Sequence, residues 1–69
     1  MNNLIPILVK ERLRQGKTQE VLADELGYTS RSLGSWERGD ADPYFLGFVD
    51  WAEGLGYEVV LRKVGGGDE

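Results

Sequence analysis

The first apolar stripe of the chain has the spacing of a short amphipathic helix. Apolar side chains recur every three or four residues, and charged side chains fall on the other faces. Pro6 suits a first helical position because it has no N–H to satisfy, and Gly16 is a typical stop just after Gln15. The pattern predicts a first helix whose buried stripe consists of Ile5, Leu8, Val9 and Leu13.

Polar caps and glycine stops predict two further short helices around a tight turn. Thr18 is a good N-cap for a second helix that Gly27 closes, and Thr29 caps a third helix over Ser30–Arg38 that ends before Gly39. Residues 27–29 form a three-residue turn in which glycine is free to adopt a positive φ. The predicted buried positions of these helices are Val21, Leu22, Ala23, Leu26, Leu33 and Trp36.

A fourth helix is predicted from a second pairing of a polar cap with proline. Asp42 followed by Pro43 indicates that the helix starts there. Its apolar positions cover nearly half of the circumference, which indicates that it faces more than one surface, in the core or in a dimer. These positions are Tyr44, Phe45, Phe48, Val49, Trp51, Ala52 and Leu55.

A change of period after residue 56 predicts one β-strand over residues 57–64. Alternate residues point to opposite faces, with Tyr57 and Val59 on the same side. A lone strand leaves its backbone groups unpaired, so we expect it to pair with the same strand of a second copy. Residues 65–69 lack an apolar anchor and are predicted to form a flexible tail. The predicted dimer surface consists of Tyr57, Val59, Val60, Leu61 and Trp51.

Length and composition limit the chain to one small domain. Its 69 residues, 41% of them hydrophobic, predict a mostly α fold of four helices with a C-terminal strand, formed by residues 1–64. The absence of cysteine and histidine excludes disulfides and the usual zinc ligands, so no metal or cofactor is expected. Because Pro6 interrupts the apolar run 4–9 and no basic leader precedes it, we expect a cytoplasmic protein without a signal peptide or membrane span.

Charge is distributed unevenly along the chain. The net charge is -4, but residues 1–39 carry six basic against five acidic side chains, whereas residues 40–69 carry two against seven. A negative total argues against sequence-independent coating of DNA, which depends mainly on neutralising phosphates. It remains compatible with a small positive face in the first 39 residues.

Residues 18–39, TQEVLADELGYTSRSLGSWERG, combine these features in a specific order. Gln19 opens the second helix, Ala23 is small where two helices would cross, and Gly27 lies in the turn. The motifs "WERG", "DP" and "LGYEV" complete a set of marks that spans residues 8–59. Together they resemble the lambda-repressor-like, or Cro/repressor-type (XRE), helix-turn-helix family. The resemblance implies that the third helix is presented to the major groove of DNA.

The outward positions of the third helix are the candidate base-reading residues. Arg31 can form a bidentate pair with guanine, worth about 1–3 kcal/mol of discrimination. Gly34 has two open interpretations. Either the helix backbone approaches another group closely there, or no structural constraint acts on the side chain at this position. Arg38 has two as well, a contact with the DNA backbone or a pair with Asp40. The predicted readers are Thr29, Ser30, Arg31, Gly34, Ser35 and Arg38.

The resemblance also implies roles for residues outside the third helix. In the family, the glutamine that opens the second helix contacts a phosphate near the helix N-terminus, which implies the same for Gln19. Lys17 and Lys10 are predicted to add phosphate contacts. Family members commonly pair an arginine of the first helix with the glutamate of the "WE" segment, so Arg12 and Glu37 are predicted to form a structural salt bridge.

The favoured function is sequence-specific transcriptional regulation. The predicted protein is a Cro-like repressor of phage or prophage origin that binds a palindromic operator in double-stranded DNA as a homodimer, with no membrane or small-molecule partner. The alternative is a protein-binding module, such as a toxin-neutralising antitoxin or an acidic antagonist of a DNA-binding partner. The outward face of the third helix carries arginine and no acid, which favours DNA. Catalysis is not expected, because histidine and cysteine are absent and so small a chain has little room for a pocket.

Overall fold

The computed structural model describes residues 3–65, which form four α-helices. In chain order they are α1 (Ile5–Arg14), α2 (Gln19–Leu26), α3 (Ser30–Arg38) and α4 (Phe45–Gly54). Helix α2 packs against both α3 and α4, and α1 packs against α3. The prediction of a mostly helical, four-helix domain is confirmed.

Side-chain caps begin the two central helices, and a left-handed glycine links them. The Oγ1 atom of Thr18 accepts a hydrogen bond from the backbone N–H of Val21 at 3.1 Å, and the Oγ1 atom of Thr29 does the same for Ser32 at 3.1 Å. Gly27 follows α2 with a φ of 81°, a conformation that a side chain disfavours. These local signals hold α2 and α3 at the angle that exposes one face of α3.

The core lies between α2, α3 and α4. Trp51, Leu22 and Leu33 are each fully buried at its centre. The indoles of Trp36 and Trp51 pack together with ring centroids 5.9 Å apart, which joins α3 to α4. The other buried apolar residues around this centre are Leu8, Ala23, Phe48, Ala52 and Leu55.

Burial corrects three sequence predictions. Trp51, predicted to lie on the dimer surface, is 0% exposed within a single chain, so it presents no surface to a second copy. Its place at the crossing of α3 and α4 explains the burial. Leu13 and Val21 were predicted on buried faces, but they are 62% and 48% exposed because no element of residues 3–65 packs over those positions.

Helix α4 begins later than predicted. Asp42 and Pro43 precede it, but Tyr44 is extended, with φ and ψ of -70° and 164°, and the helix starts at Phe45. An extended backbone is the ordinary conformation of an N-cap residue, so Tyr44 is the N-cap of α4. The Tyr44 ring also packs edge-on against Trp36, with centroids 6.4 Å apart. The helix therefore starts two residues after Pro43, with Tyr44 in place of Asp42 as its cap.

The predicted C-terminal strand has no counterpart in the single chain. Residues 57–64 have no regular secondary structure, and no backbone pairing links them to any other part of residues 3–65 beyond the bond from Tyr57 N to the carbonyl of Ala52 at 2.9 Å. A strand needs a partner for its backbone groups, and one chain offers none. Of the predicted tail 65–69, residues 66–69 lie outside the described part of the chain.

Replacing Leu22 with alanine is expected to lower the free energy of unfolding by about 2–5 kcal/mol, because it leaves a cavity at the centre of the core. Val21→Ala is the matched control on the same helix, since Val21 is 48% exposed. Urea unfolding followed by circular dichroism measures both variants. An equal loss of stability in the two variants would contradict the packing described for α2.

Candidate nucleic-acid interface

The outer face of α3 carries a short polar and basic surface. Arg31 and Arg38 are exposed on it, and Ser32 and Ser35 are half-buried. Leu33 and Trp36 on the opposite face are buried in the core and hold the helix in place. The arrangement presents hydrogen-bond donors and acceptors outward on a rigidly packed helix, which is what reading base edges in a major groove requires.

Gly34 does not belong to this outer face. It is buried, and a Cβ atom placed on it would lie 3.1 Å from Oε1 of Gln19 and 3.1 Å from Nη1 of Arg38. Glycine leaves room for these two side chains, which cover its backbone, and a Cβ atom would require the ends of both flexible side chains to move by a few tenths of an ångström. Gly34 was predicted to read bases, but its backbone is buried beneath the side chains of Gln19 and Arg38.

A buried ion pair connects α1 to α3, between the two residues that the resemblance paired. Arg12 Nε donates to Glu37 Oε2 at 2.8 Å, and Arg12 Nη2 donates to Glu37 Oε1 at 3.0 Å. The third guanidinium nitrogen, Nη1, donates to the backbone carbonyl of Lys17 at 2.8 Å. The side chains of Arg12 and Glu37 are only 10% and 6% exposed, so the two charges are largely removed from water.

Gln19 completes the network from the start of α2. Its Nε2 donates to Glu37 Oε1 at 2.9 Å. Because a carboxylate only accepts hydrogen bonds, the contact fixes which side of the amide faces Glu37. The backbone N–H groups of Gln19 and Glu20 have no acceptor within residues 3–65. The α2 N-terminus thus combines an oriented amide with free N–H groups, a combination that suits an anion.

Of the remaining basic residues predicted to contact DNA, two already form salt bridges and two do not. Lys17 pairs with Glu25 at 2.7 Å, and Arg38 pairs with Asp40 at 2.9 Å, one of the two interpretations left open for it. Within residues 3–65, neither Lys10 nor Arg31 forms a salt bridge. Arg31 is therefore the arginine of α3 whose guanidinium is available to a new partner.

The start of α3 differs in detail from the sequence prediction. The Thr29 hydroxyl lies 3.1 Å from that of Ser32 and also caps the helix, so it is already engaged. Ser30, predicted to point outward, is half-buried, and so are Ser32 and Ser35. Ser32 was not predicted. The helical period of 3.6 residues places it between Ser35 and the buried Trp36, at the edge of the outer face of α3.

Tyrosine hydroxyls tie the turn between α2 and α3 to α4. Tyr28 donates to Asp50 Oδ2 at 2.8 Å, and its hydroxyl oxygen lies 3.1 Å from that of Tyr44. The hydrogen bonds with Tyr44 and then with Asp50 raise the pKa of Tyr28 above its usual value, and the negative charge of Asp50 acts in the same direction. The contacts fix the position of the turn relative to α4.

The far end of α1 has its own polar contacts, away from α3. Hydrogen bonds from Arg14 and then from Gln15 lower the pKa of Glu11 to about 2. The Gln15 amide also donates to the carbonyl of Leu55 at 3.0 Å, which joins α1 to the end of α4. Arg14 therefore lies on a part of the surface separate from the outer face of α3.

Comparison with known proteins identifies the fold. The family model described as Helix-turn-helix matches residues 8–59. The chain belongs to the XRE, or lambda-repressor-like, helix-turn-helix family. The resemblance stated from the sequence is thereby confirmed. Searches of curated proteins and of solved structures found no match.

Membership of the helix-turn-helix family implies binding to double-stranded DNA and a role in regulating transcription. In such proteins α3 is the helix that enters the major groove. None of the four helices in residues 3–65 is long and apolar enough to span a membrane. The same residues contain no cluster of three acidic side chains that is suited to holding a metal ion.

The Arg12→Ala variant is expected to lose about 3–5 kcal/mol of folding free energy, because it leaves the Glu37 carboxylate buried without a cation. Arg14→Ala is the control. It removes an arginine two residues away whose exposed pair with Glu11 contributes little to stability. Urea unfolding of the two variants measures the difference. Equal stability in both variants would show that the buried network does not hold α1 to α3.

Proposed function

We propose that the protein is a Cro-like transcriptional repressor of phage or prophage origin that binds a palindromic operator as a homodimer. Two copies of α3 enter successive major grooves, with half-sites about one helical turn, ~34 Å, apart. Occupancy of the operator blocks the polymerase. The proposal places the protein in the cytoplasm and needs no cofactor, metal ion or small-molecule ligand.

The observation that carries the proposal is the state of Arg31. It is exposed on the outer face of α3 and forms no salt bridge within residues 3–65, so its five N–H donors are available. A guanidinium in this position matches the O6 and N7 acceptors of guanine. Ser35 and Ser32 lie beside it and can bind several base edges, which leaves the choice of base mainly to Arg31.

Phosphate contacts are proposed to position α3. The N-terminus of α2 offers free N–H groups and the Gln19 amide that Glu37 orients. Lys17 and Lys10 add positive charge, but Lys17 must first exchange Glu25 for a phosphate. Arg38 must do the same with Asp40. Because these cations already have carboxylate partners, each exchange yields less free energy than a contact from an unpaired cation.

A second candidate function is a protein-binding module, either a toxin-neutralising antitoxin or an acidic antagonist of a DNA-binding partner. The exposed carboxylates of Asp42, Glu53 and Glu58 support it, because they belong to the acidic stretch 40–58 and none of them forms a salt bridge within residues 3–65. An antitoxin of this type would also bind DNA, so the two functions overlap. Folded protein without any preference between operator and scrambled DNA would favour the acidic antagonist.

Arg31→Ala is expected to reduce the preference for the operator over scrambled DNA by about 1–3 kcal/mol for each of the two half-sites, roughly fivefold to 160-fold per half-site, because each subunit loses its bidentate contact with guanine. Fluorescence anisotropy measures the binding of a labelled fragment from beside the protein's own gene. Arg14→Ala is the charge-matched control, since it removes one arginine from a surface away from α3. An equal loss of preference in both variants would attribute the effect to net charge and overturn the base-reading role.

Operator binding is expected to be of modest affinity and steeply salt-dependent, with only a few phosphate contacts per subunit and a slope of about -0.9 in log K against log salt for each neutralised phosphate. Lys17→Gln is expected to bind all sequences more weakly and to make the slope of the homodimer shallower by about 2, because each subunit loses one phosphate contact. Anisotropy titrations across a salt series measure both. A wild-type slope that corresponds to roughly ten or more released counterions would contradict the proposed interface.

A further inference from the structure

An apolar groove runs beside the C-terminal segment, on a surface separate from α3. Its volume is about 310 Å³, and the start of α1, the inner face of α4 and the segment itself form its walls. Just beyond it along the chain, Leu61 is 91% exposed and Val64 is 83% exposed. The residues that form most of the groove are Leu4, Ile7, Leu8, Phe48, Ala52 and Val59.

The segment that borders the groove has the pattern of a strand whose backbone has no partner. From residue 58 to residue 64, no backbone group bonds to another backbone group of the described chain. Val59 packs against the core, so in an extended conformation Tyr57 and Leu61 share its face. In an extended strand Glu58, Val60 and Arg62 would lie on the opposite face. In the single chain all three are exposed, and Glu58 and Val60 also border the groove.

Symmetry restricts how two such strands can pair. A two-fold axis between antiparallel strands runs perpendicular to the ribbon, so one residue must lie opposite its own copy. Pairing centred on Val60 sets Glu58 opposite the partner's Arg62 and Val59 opposite the partner's Leu61. Opposite charges that face each other across strands stabilise the pair, and both such contacts occur twice in the dimer.

The neighbouring registers are worse on the same criteria. Centring on Leu61 sets Val60 opposite the partner's Arg62. Centring on Val59 sets Glu58 opposite the partner's Val60. Centring on Arg62 brings two arginines face to face, which is destabilising. Of these four registers, the one about Val60 alone forms a cross-strand ion pair and keeps apolar residues opposite one another.

We propose that two copies of the chain pair residues 57–63 as an antiparallel ribbon centred on Val60, with the partner's Leu61 seated in the groove. Directly opposed residues have Cβ atoms about 4.5–5.5 Å apart on the same face, so the partner's Leu61 lies beside Val59 at the wall of the groove. The groove covers Leu61 and anchors a two-stranded ribbon that would be marginal by itself. This inference rests on the homodimer of the proposed function.

Single cysteines test the register, because the chain contains none of its own. Val60→Cys is expected to form disulfide-linked dimers under mild oxidation, since a residue opposite its own copy lies within disulfide range. Val60 is exposed, so the variant keeps the core intact. Leu61→Cys and Val59→Cys are the matched controls. Each lies diagonally from its own copy, about 7–8 Å away, and neither is expected to link to itself, whereas a mixture of the two is expected to link.

Charge exchange tests the ion pairs by an independent measurement. Glu58→Arg and Arg62→Glu are each expected to shift the protein from dimer to monomer in sedimentation, because each sets like charges opposite one another twice. Mixing the two variants is expected to restore a dimer that contains one of each. Lys63→Glu is the control, since it makes the same change of charge as Arg62→Glu but lies opposite the partner's Tyr57.

Two results would overturn the register: failure of Val60→Cys to link, or linking of Leu61→Cys to itself as efficiently as Val60→Cys. Failure of the mixed charge variants to form a dimer would overturn the ion pairs. Operator preference that persists through these failures would leave the proposed DNA-binding function standing. Conversely, linking at residue 60 in a protein without operator preference would uphold the ribbon and overturn the proposed function.

Discussion

The ion pair of Arg12 and Glu37 is the constraint on which the arrangement of the helices depends. Both side chains are almost fully buried, so each charge requires the other, and every hydrogen-bonding position around them must be filled. The carbonyl of Lys17 and the amide of Gln19 fill two of these positions. One network therefore connects α1, the loop after it, α2 and α3. A shift of any of these elements would leave a charge without a partner in a site that water reaches poorly.

The same network links folding to recognition. Glu37 lies on the inner side of α3 and orients Gln19, whose helix N-terminus is the proposed phosphate site. Gly34 leaves room for this link, because a Cβ atom there would lie 3.1 Å from Oε1 of Gln19 and 3.1 Å from Nη1 of Arg38. The arginine proposed to read bases and the glutamine proposed to contact phosphate would thus be held in a fixed relation by the packing of α2 against α3. In such an arrangement the glycine contributes to binding without touching DNA.

Local sequence signals were sufficient to predict the four helices. Contacts between helices decided which residues of the candidate interface are exposed. The threonine caps and left-handed glycines around α2 and α3 act within one turn of the chain, and the helices lie where they predict. Periodicity alone did not show that Gly34 lies beneath Gln19 or that Trp51 is enclosed by a single chain, because both depend on a neighbouring helix. The predicted C-terminal strand is absent from the single chain, because its backbone groups would need a second copy of the chain to pair with.

The net charge of -4 and local pairing together limit the positive potential of the proposed DNA-binding face, because four of the eight basic side chains are already paired with carboxylates. Arg12, Arg14, Lys17 and Arg38 each hold a carboxylate, so little positive potential extends beyond the surface. Such a protein gains little from long-range attraction to phosphate, so the proposed discrimination would depend mainly on the short-range contacts of Arg31. One face of this kind would bind weakly, whereas the two faces of the proposed dimer would bind one palindrome with a much higher combined affinity. The proposed pairing of the C-terminal segments would therefore be a requirement of recognition and would not merely add to stability.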